Sequence, residues 1–592
     1  MSGAPLGRVG APRESEATSQ VFYFWVPEDR MVEKTQLVHA RAEVGERVVE
    51  FYGLVTEVFR RSRRVSMLEE ADRFDGRPDE TVPLQSRGVT YAQVRVLAVE
   101  PNLFTPPHEE ALVYPAVEEH ARRAYGVDRM ARPLCVGLIR NGGDQVAGPA
   151  FIDLDYLLGA LGGHLNVSGI AGVGTKSSFL TIALAQVLHW TRRWADDHPS
   201  DPDRPQVRAV VLNVKGFDLF WLDHWSRDFT PADRAAWAAM GWEDPRPLEC
   251  DFFAPQQPGT DLAQDVGRPG VAPYSWTLAD ILLQDLFDYL FADGDREDDN
   301  FALLVADVQR ILVREWRGAA GERRRSLNEG VPRTFGELFD WFDAGLADAG
   351  DPHFHRLARG QHHPGTLRRF YRRLRRVVHE SSGIFRVDAG PSRPLELESF
   401  APTRTTVVDL AGLSDAHLQR FVVAALLKQA KELQTGGRAV RGMHYLFVLD
   451  ELNRFAPRGN SDPITKLVEE VAAELRSRGV ILLGAQQQAS LVSPRVVENC
   501  AIRVLGRSGG HELGAAVYSF LPEELRDYVQ KLDSADKVVF QPSFREPMNV
   551  RVPRAPWAMR RAEASTLPPP GADGMAPAAE LGPARAQRKR AP

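Results

Sequence analysis

Cysteine is nearly missing from this sequence: Cys135, Cys250 and Cys500 are the three in 592 residues, far apart and without a CxxC pair. That excludes a disulfide framework and a cysteine-rich zinc site, and it fits a reducing compartment. Long apolar runs are missing too, since no stretch approaches the ~18 uninterrupted apolar residues of a spanning helix. The opening segment Met1 to Gln20 is polar, rich in Gly, Ser and Ala, and lacks the apolar centre of a signal peptide. A cytoplasmic protein with no membrane span is expected. Lysine is scarce, with 64 arginines and nine lysines making up the 73 basic residues. A lysine at a chemically demanding position therefore carries weight. An excess of one charge is also lacking: 73 basic against 79 acidic residues leave a net −6. This excludes a general basic carpet for nucleic acid but allows a local basic channel.

What is present is ample core material, 43% hydrophobic with 26% charged residues. At ~150 residues per domain the chain has length for three or four compact units. After a disordered N-terminus (1–20), the segment 21–149 reads as short β elements. Val21–Val26, Arg47–Tyr52, Leu54–Phe59 and Tyr91–Val99 are β-branched and aromatic, and they are broken by Gly, Pro and Asp. A small β barrel or sandwich is expected there. Beyond Pro149 apolar strand runs alternate with helical patterns, the grammar of a mostly parallel sheet covered on both faces. The strand candidates are His164–Ser168, Arg208–Val214, Thr405–Leu410, His444–Asp450, Val480–Ala485 and Ala501–Leu505. They place an α/β core at 150–214 and 403–561, interrupted by a mainly helical insertion at 215–402. The tail 562–592 is Pro, Ala and Gly rich with scattered arginines, a composition expected to be disordered.

The strongest motif is Ser168-Gly-Ile-Ala-Gly-Val-Gly-Thr-Lys-Ser-Ser178, which follows a strand candidate and opens a helical pattern. Phosphate groups need close backbone approach, several N–H donors and a helix N-terminus. Gly169, Gly172 and Gly174 permit the approach, Val173, Thr175 and Ser178 complete the cradle, Lys176 reaches the β and γ phosphates, and Ser177 binds Mg²⁺. The loop departs from GxxxxGK[ST] because Thr175 separates Gly174 from Lys176. Either the loop has one extra residue or Thr175 replaces the last glycine; the alternative to phosphate binding is an ordinary Gly-rich turn.

A second motif, His444-Tyr-Leu-Phe-Val-Leu-Asp-Glu-Leu-Asn-Arg454, ends an apolar strand in two carboxylates. Asp450 can hold hydrated Mg²⁺ and Glu451 can orient or deprotonate the attacking water; alternatively such a pair only caps a following helix. Ser461-Asp462-Pro463 reads as a helix start, with apolar spacing until Gly479 stops it. Arg476 and Arg478 near that end either complement the helix dipole or act on a neighbouring subunit's phosphate. Gln486, ending the next strand, senses phosphate or belongs to a solvated Gln-rich loop. Arg368–Arg376 is a basic helix pattern suited to DNA phosphates or to a solvated face, and Glu322–Ser326 reads as an exposed loop.

In this order the motifs resemble the HerA family of hexameric DNA-translocating ATPases, within the HerA and FtsK group of P-loop proteins. The likeness rests on Gly169–Ser178, Asp450–Phe455, Arg476 before Gly479, Gly484-Ala-Gln486 and Asn499–Arg507, with Val211–Gly216 and Val407–Leu410 as further strands. The resemblance implies a RecA-like P-loop ATPase domain after a small barrel, and a homohexamer with ATP and Mg²⁺ at each interface. It also implies duplex DNA in a central pore and a nuclease partner, either NurA-like in end resection or a defence effector. Lys176, Ser177, Asp450, Glu451 and Gln486 take the cis roles and Arg476 the trans role. A non-hydrolysing nucleotide-binding scaffold ring is the alternative.

Overall fold

The computed structural model describes residues 4–568 apart from 14, 46, 62–87, 171–174, 217, 292–298, 319–322, 349, 359–360, 382 and 437–438. Strands β1 (Gly7–Val9), β2 (Val21–Val26), β3 (Leu37–Val44), β4 (Arg47–Arg61), β5 (Val89–Glu100) and β6 (Leu112–Pro115) close into an antiparallel barrel. Alternation decides its inside. Along β2, Phe22, Phe24 and Val26 point inward to meet Phe51, Val55 and Val94. The long β4 bends at a bulge beside Gly53, where a Cβ would lie 2.2 Å from Val94 Cγ1.

The remaining strands are β7 (Pro133–Arg140), β8 (Val146–Asp153), β9 (Leu165–Ser168), β10 (Gln206–Asn213), β11 (Trp225–Ser226), β12 (Cys250–Pro255), β13 (Val271–Tyr274), β14 (Val313–Arg317), β15 (Arg323–Leu327), β16 (Thr405–Asp409), β17 (Met443–Asp450), β18 (Val480–Gln486), β19 (Ile502–Leu505), β20 (Asp536–Phe540), β21 (Met548–Arg551) and β22 (Ala564–Ser565). Twelve of them form one sheet in the order β13-β12-β16-β10-β17-β18-β9-β19-β20-β21-β7-β8. It is parallel from β13 to β19 and antiparallel from β19 to β8, so the α/β sheet is mixed.

Buried strands of this kind send alternate residues to two faces. Val210, Leu212, Phe447 and Leu449 enter one core, with helices α5 (Ala416–Thr435) and α6 (Pro463–Glu474). Ala209, Val211, Leu446 and Val448 enter the other, under α1 (Thr175–Asp197). The first core continues into a helical lobe that includes α2 (Asp299–Leu312), α3 (Phe335–Ala347) and α4 (Pro364–His379). Helix α4 buries Leu367, Phe370, Tyr371, Leu374 and Val378 and turns Arg368, Arg372, Arg373, Arg375 and Arg376 outward. Among the described residues no helix is long and apolar enough to cross a membrane.

The expected boundaries shift in four places. The segment 1–20 supplies β1, which closes the barrel against β2 and β6. The barrel ends at β6, whereas β7 and β8, read within 21–149, belong to the large sheet through β21. The insertion 215–402 is not only helical, because β12 and β13 extend the sheet and β14 pairs with β15. Of the tail 562–592, Ala564 and Ser565 pair with Ser226 and Trp225, and residues 569–592 lie outside the described part.

Candidate active site

Strand order brings the two motifs together. β18 lies between β17 and β9, and the parallel register sets Asp450 opposite Ala485 and Gln486 opposite Ser168. The acid pair and the start of the glycine turn therefore leave the same sheet edge about 10 Å apart, two strand spacings. Gly169 has φ +155, and a Cβ there would sit 3.1 Å from Gly506 Cα, so the turn passes tightly against the end of β19. Ile170 N–H donates to the Arg507 carbonyl at 2.7 Å and Gly506 N–H to the Ser168 carbonyl at 2.8 Å, which anchors the entry of the turn. Gly172, Val173 and Gly174 lie outside the described residues, and of Thr175 the backbone alone is described, as the first residue of α1.

Lys176 and Ser177 lie in the first turn of α1, and Ser177 turns to the acid pair. Ser177 Oγ donates to Asp450 Oδ2 at 3.1 Å. Lys176 is 7% exposed, and its ammonium donates to the Gly169 carbonyl at 3.1 Å. Its burial pushes its pKa down, while the charges of Glu451 and Asp450 oppose that shift. Glu451 is 6% exposed and sits in the left-handed region at φ 63, an unfavourable conformation for a side chain with a Cβ. Strain of this kind, on a carboxylate at a strand end, aims the side chain across the sheet edge. There Lys215 forms an ion pair with it. Burial alone would raise the Glu451 pKa; the Lys215 hydrogen bond and the charges of Lys215 and Lys176 outweigh it and hold the carboxyl below its usual range.

Gln486 ends β18 at this edge but is fully buried, and its amide is spent on Asn166 in β9: Asn166 Nδ2 donates to Gln486 Oε1 at 3.1 Å and Gln486 Nε2 to Asn166 Oδ1 at 2.7 Å. The following Gln487 is the amide that helps to lower the Glu451 pKa. Arg476 is elsewhere. It lies in a short 3-10 turn after α6, before the start of β18, and donates to Asn499 Oδ1 at 3.0 Å. The length of β18, about 20 Å, separates it from the cluster. Thus Lys176, Ser177, Asp450 and Glu451 are brought together, Gln486 backs them from inside the sheet, and Arg476 is at the opposite edge.

The sequence reading left Lys215, Asn166 and Gln487 without roles. Lys215 carried the same signal as Lys176, a lysine in a chain that uses arginine, at the end of a strand run. Next to it Asn213 Nδ2 donates to Asp409 Oδ1 at 2.9 Å, and Asp409 also accepts from the N–H groups of Ala411 and Gly412, at 3.1 and 3.0 Å. This fixes the turn that carries Lys215.

One buried ammonium, a second lysine, a hydroxyl and two carboxylates at a glycine turn suit a polyanion together with a hard, oxygen-binding cation such as Mg²⁺. The side chains present thus fit a magnesium nucleotide, with Lys176 toward the phosphates and Ser177 and Asp450 toward the metal.

No family model and no curated protein matches the chain. Among solved structures it is similar to VirB4 of Thermoanaerobacter pseudethanolicus, at 14% identity over 72% of this chain and 97% of that one, with a TM-score of 0.42. It is also similar to the plasmid coupling protein TrwB in complex with the ATP analogue ADPNP, at 12% identity over 74% of this chain and 97% of that one, with a TM-score of 0.44.

Proposed function

We propose that the protein hydrolyses ATP with Mg²⁺ and uses the turnover to move duplex DNA, as a homohexameric ring of the HerA kind. The observation that carries the reading is the closure of Ser177 on Asp450 at 3.1 Å, with Lys176 and Glu451 flanking it, between motifs 273 residues apart. Bound Mg²⁺ would draw charge from the β and γ phosphates. The chain's own residues then do the rest. Lys176 holds the phosphates, Ser177 and Asp450 hold the metal, and Glu451, kept ionised by its lysine neighbours, accepts the proton of the attacking water. Gln486 acts through Asn166 on the strand that feeds the glycine turn. Arg476, far from its own subunit's cluster, is the residue offered to a neighbour's site. DNA leaving the ring would pass to a separate nuclease, NurA-like or a defence effector, in the cytoplasm.

The test is ATP turnover with and without duplex DNA, beside Glu451→Gln. Loss of the base is expected to lower turnover about 100- to 10,000-fold with nucleotide binding kept, and Lys176→Ala to lose binding. One observation favours the scaffold reading: Lys215 already occupies the Glu451 carboxylate. A wild-type protein that binds ATP yet never turns it over, with DNA or without, refutes the motor and leaves that scaffold.

A further inference from the structure

We propose that the stacked rings of His39 and His120 form a proton-operated clasp between the barrel and the large sheet, closed while His120 is neutral and opened when acid protonates it. The ring centroids are 3.9 Å apart and the planes 10° from parallel. His39 belongs to β3 and His120 to the short helix Glu119–Ala124, which lies between the barrel and the sheet.

Strand alternation turns Val38 and Ala40 into the barrel and His39 out of it. On that outer face His39 stands between its cross-strand partners Tyr52 and Tyr114. Ala121 and Ala124 of the helix share one core with Leu37 and Leu97 of the barrel and with Leu134 and Ile152 of β7 and β8. Just before the helix, Glu118 N–H donates to the Ala147 carbonyl in β8, which fastens this end of the helix to the sheet. His120 then meets the barrel. Elsewhere Leu37 N–H donates to Asn141 Oδ1 at 2.7 Å and Arg95 to Glu546 at 2.9 Å. Opening the clasp would therefore free the helix face locally and leave the barrel attached.

The surroundings have room for one proton and not two. His39 is 5% exposed, and among the described residues its Nε2 and the Nδ1 of His120 are buried without a hydrogen-bond partner. Glu50 Oε2 lies 3.5 Å from His39 Nδ1, and the His39 ring is the main influence holding the Glu50 carboxyl below its usual range. A proton held by the pair therefore sits on His39, facing Glu50. The other charged groups around the pair are already matched. Arg41 lies 4.0 Å from Glu50, Glu119 pairs with Arg123, and Glu100 lies 3.7 Å from both Arg123 and Arg129. A second proton, on His120, would set two cations face to face with no free carboxylate to receive it. Burial, with the charges of His39 and Arg123, accordingly lowers the His120 pKa against the pull of Glu50 and Glu119. Parallel rings aim their nitrogens side by side and not at one centre, and among the described residues no group of His, Cys, Asp and Glu could hold a metal ion. The geometry suits a proton.

The clasp needs no nucleotide, so it holds or fails independently of the proposed motor. The test is hydrogen exchange of the full-length protein without ATP, from pH 7.5 to 5.5, read by mass spectrometry and corrected for the intrinsic exchange rate. A released His120 has the ordinary value of 6.5. Docking tied to its neutral ring is therefore complete above 6.5 and weakens as pH falls, by up to about tenfold at pH 5.5. Peptides covering 36–41 and 118–125 are expected to lose protection by that factor, with α5 unchanged. His120→Phe keeps a stacked ring without a titrating nitrogen and should be flat over the range. His120→Lys carries a fixed charge and should already be open at pH 7.5. Where His120→Phe fails to fold, His120→Gln serves as the flat variant. Wild-type protection that does not change between pH 7.5 and 5.5 overturns the proposal, as does an acid loss that persists in the flat variant.

Discussion

Lys215 reaches from the turn after β10 to the carboxylate of Glu451 at the end of β17, joining residues 236 apart in sequence. The two strands are neighbours in the sheet, so one edge presents a cation and a strained acid side by side. The charge of Lys176 also acts on that carboxylate. Two of the chain's nine lysines thus serve one glutamate.

Removing Lys215 unmasks the effect of burial on that glutamate. In Lys215→Met the Glu451 carboxyl loses the hydrogen bond and the nearest charge that hold its pKa down, and burial then moves it up. Glu451 serves as a base when ionised, so the acid limb of the turnover profile is expected to move to higher pH. A pH–rate curve for the variant that overlays the wild type contradicts this.

Ser177→Ala and Asp450→Asn each remove one member of the 3.1 Å pair. The expected result is a higher Mg²⁺ requirement for nucleotide binding, larger for Asp450→Asn because a charge is lost as well as a ligand. Titration of Mg²⁺ at fixed nucleotide reads it; equal requirements in both variants and wild type reject the metal assignment.

The buried amide pair should be costly to halve. Asn166→Leu strands the Gln486 amide inside the sheet, at about 1–3 kcal/mol of stability, measured by denaturant unfolding. The double variant Asn166→Leu, Gln486→Leu should recover part of that loss, because no unpaired polar group then remains. If the double variant loses the full sum of the two single losses, the pair is not coupled.

His164 sets an acid limit on the fold. Its ring lies between Ala472, whose carbonyl is 3.0 Å from Nε2, and the Leu482 N–H, which donates to Nδ1 at 2.9 Å. Burial lowers its pKa to about 4 from an unfolded value of 6.5. Between those values the unfolded chain binds the proton that the fold excludes. The stability tied to the neutral ring is therefore complete above 6.5 and lost as pH falls toward 4, on the order of 3 kcal/mol. Unfolding measured from pH 7 to 4.5 should show a shallower decline in His164→Gln than in wild type.

Much of the fold was legible because it is written locally. The runs at 21–26, 405–410, 444–450 and 480–485 became β2, β16, β17 and β18 within a residue or so, since a strand of alternating or continuous apolar residues needs no distant information. The helix expected after Asp462 starts there, with the Asp462 carboxylate accepting from the Ile464 and Thr465 N–H groups, and Gly479 follows at φ +80. Strands β12 and β13 escaped notice because each is a short run among loops in a segment dominated by helical patterns. Strands β7 and β8 were not singled out in a segment read as β only in general, and nothing in their own residues says which sheet they join.

By itself the sequence determined the parts that chemistry requires: a glycine turn before Lys176 and Ser177, an apolar strand ending in Asp450 and Glu451, and a preference for arginine that makes each lysine conspicuous. Tertiary structure alone decided who meets whom. Strand order put Lys215 on Glu451 and gave Asn166 to Gln486, residues 320 apart. Charge and hydrogen bonding act over a few ångströms, and distances that short between distant residues exist once the sheet is assembled.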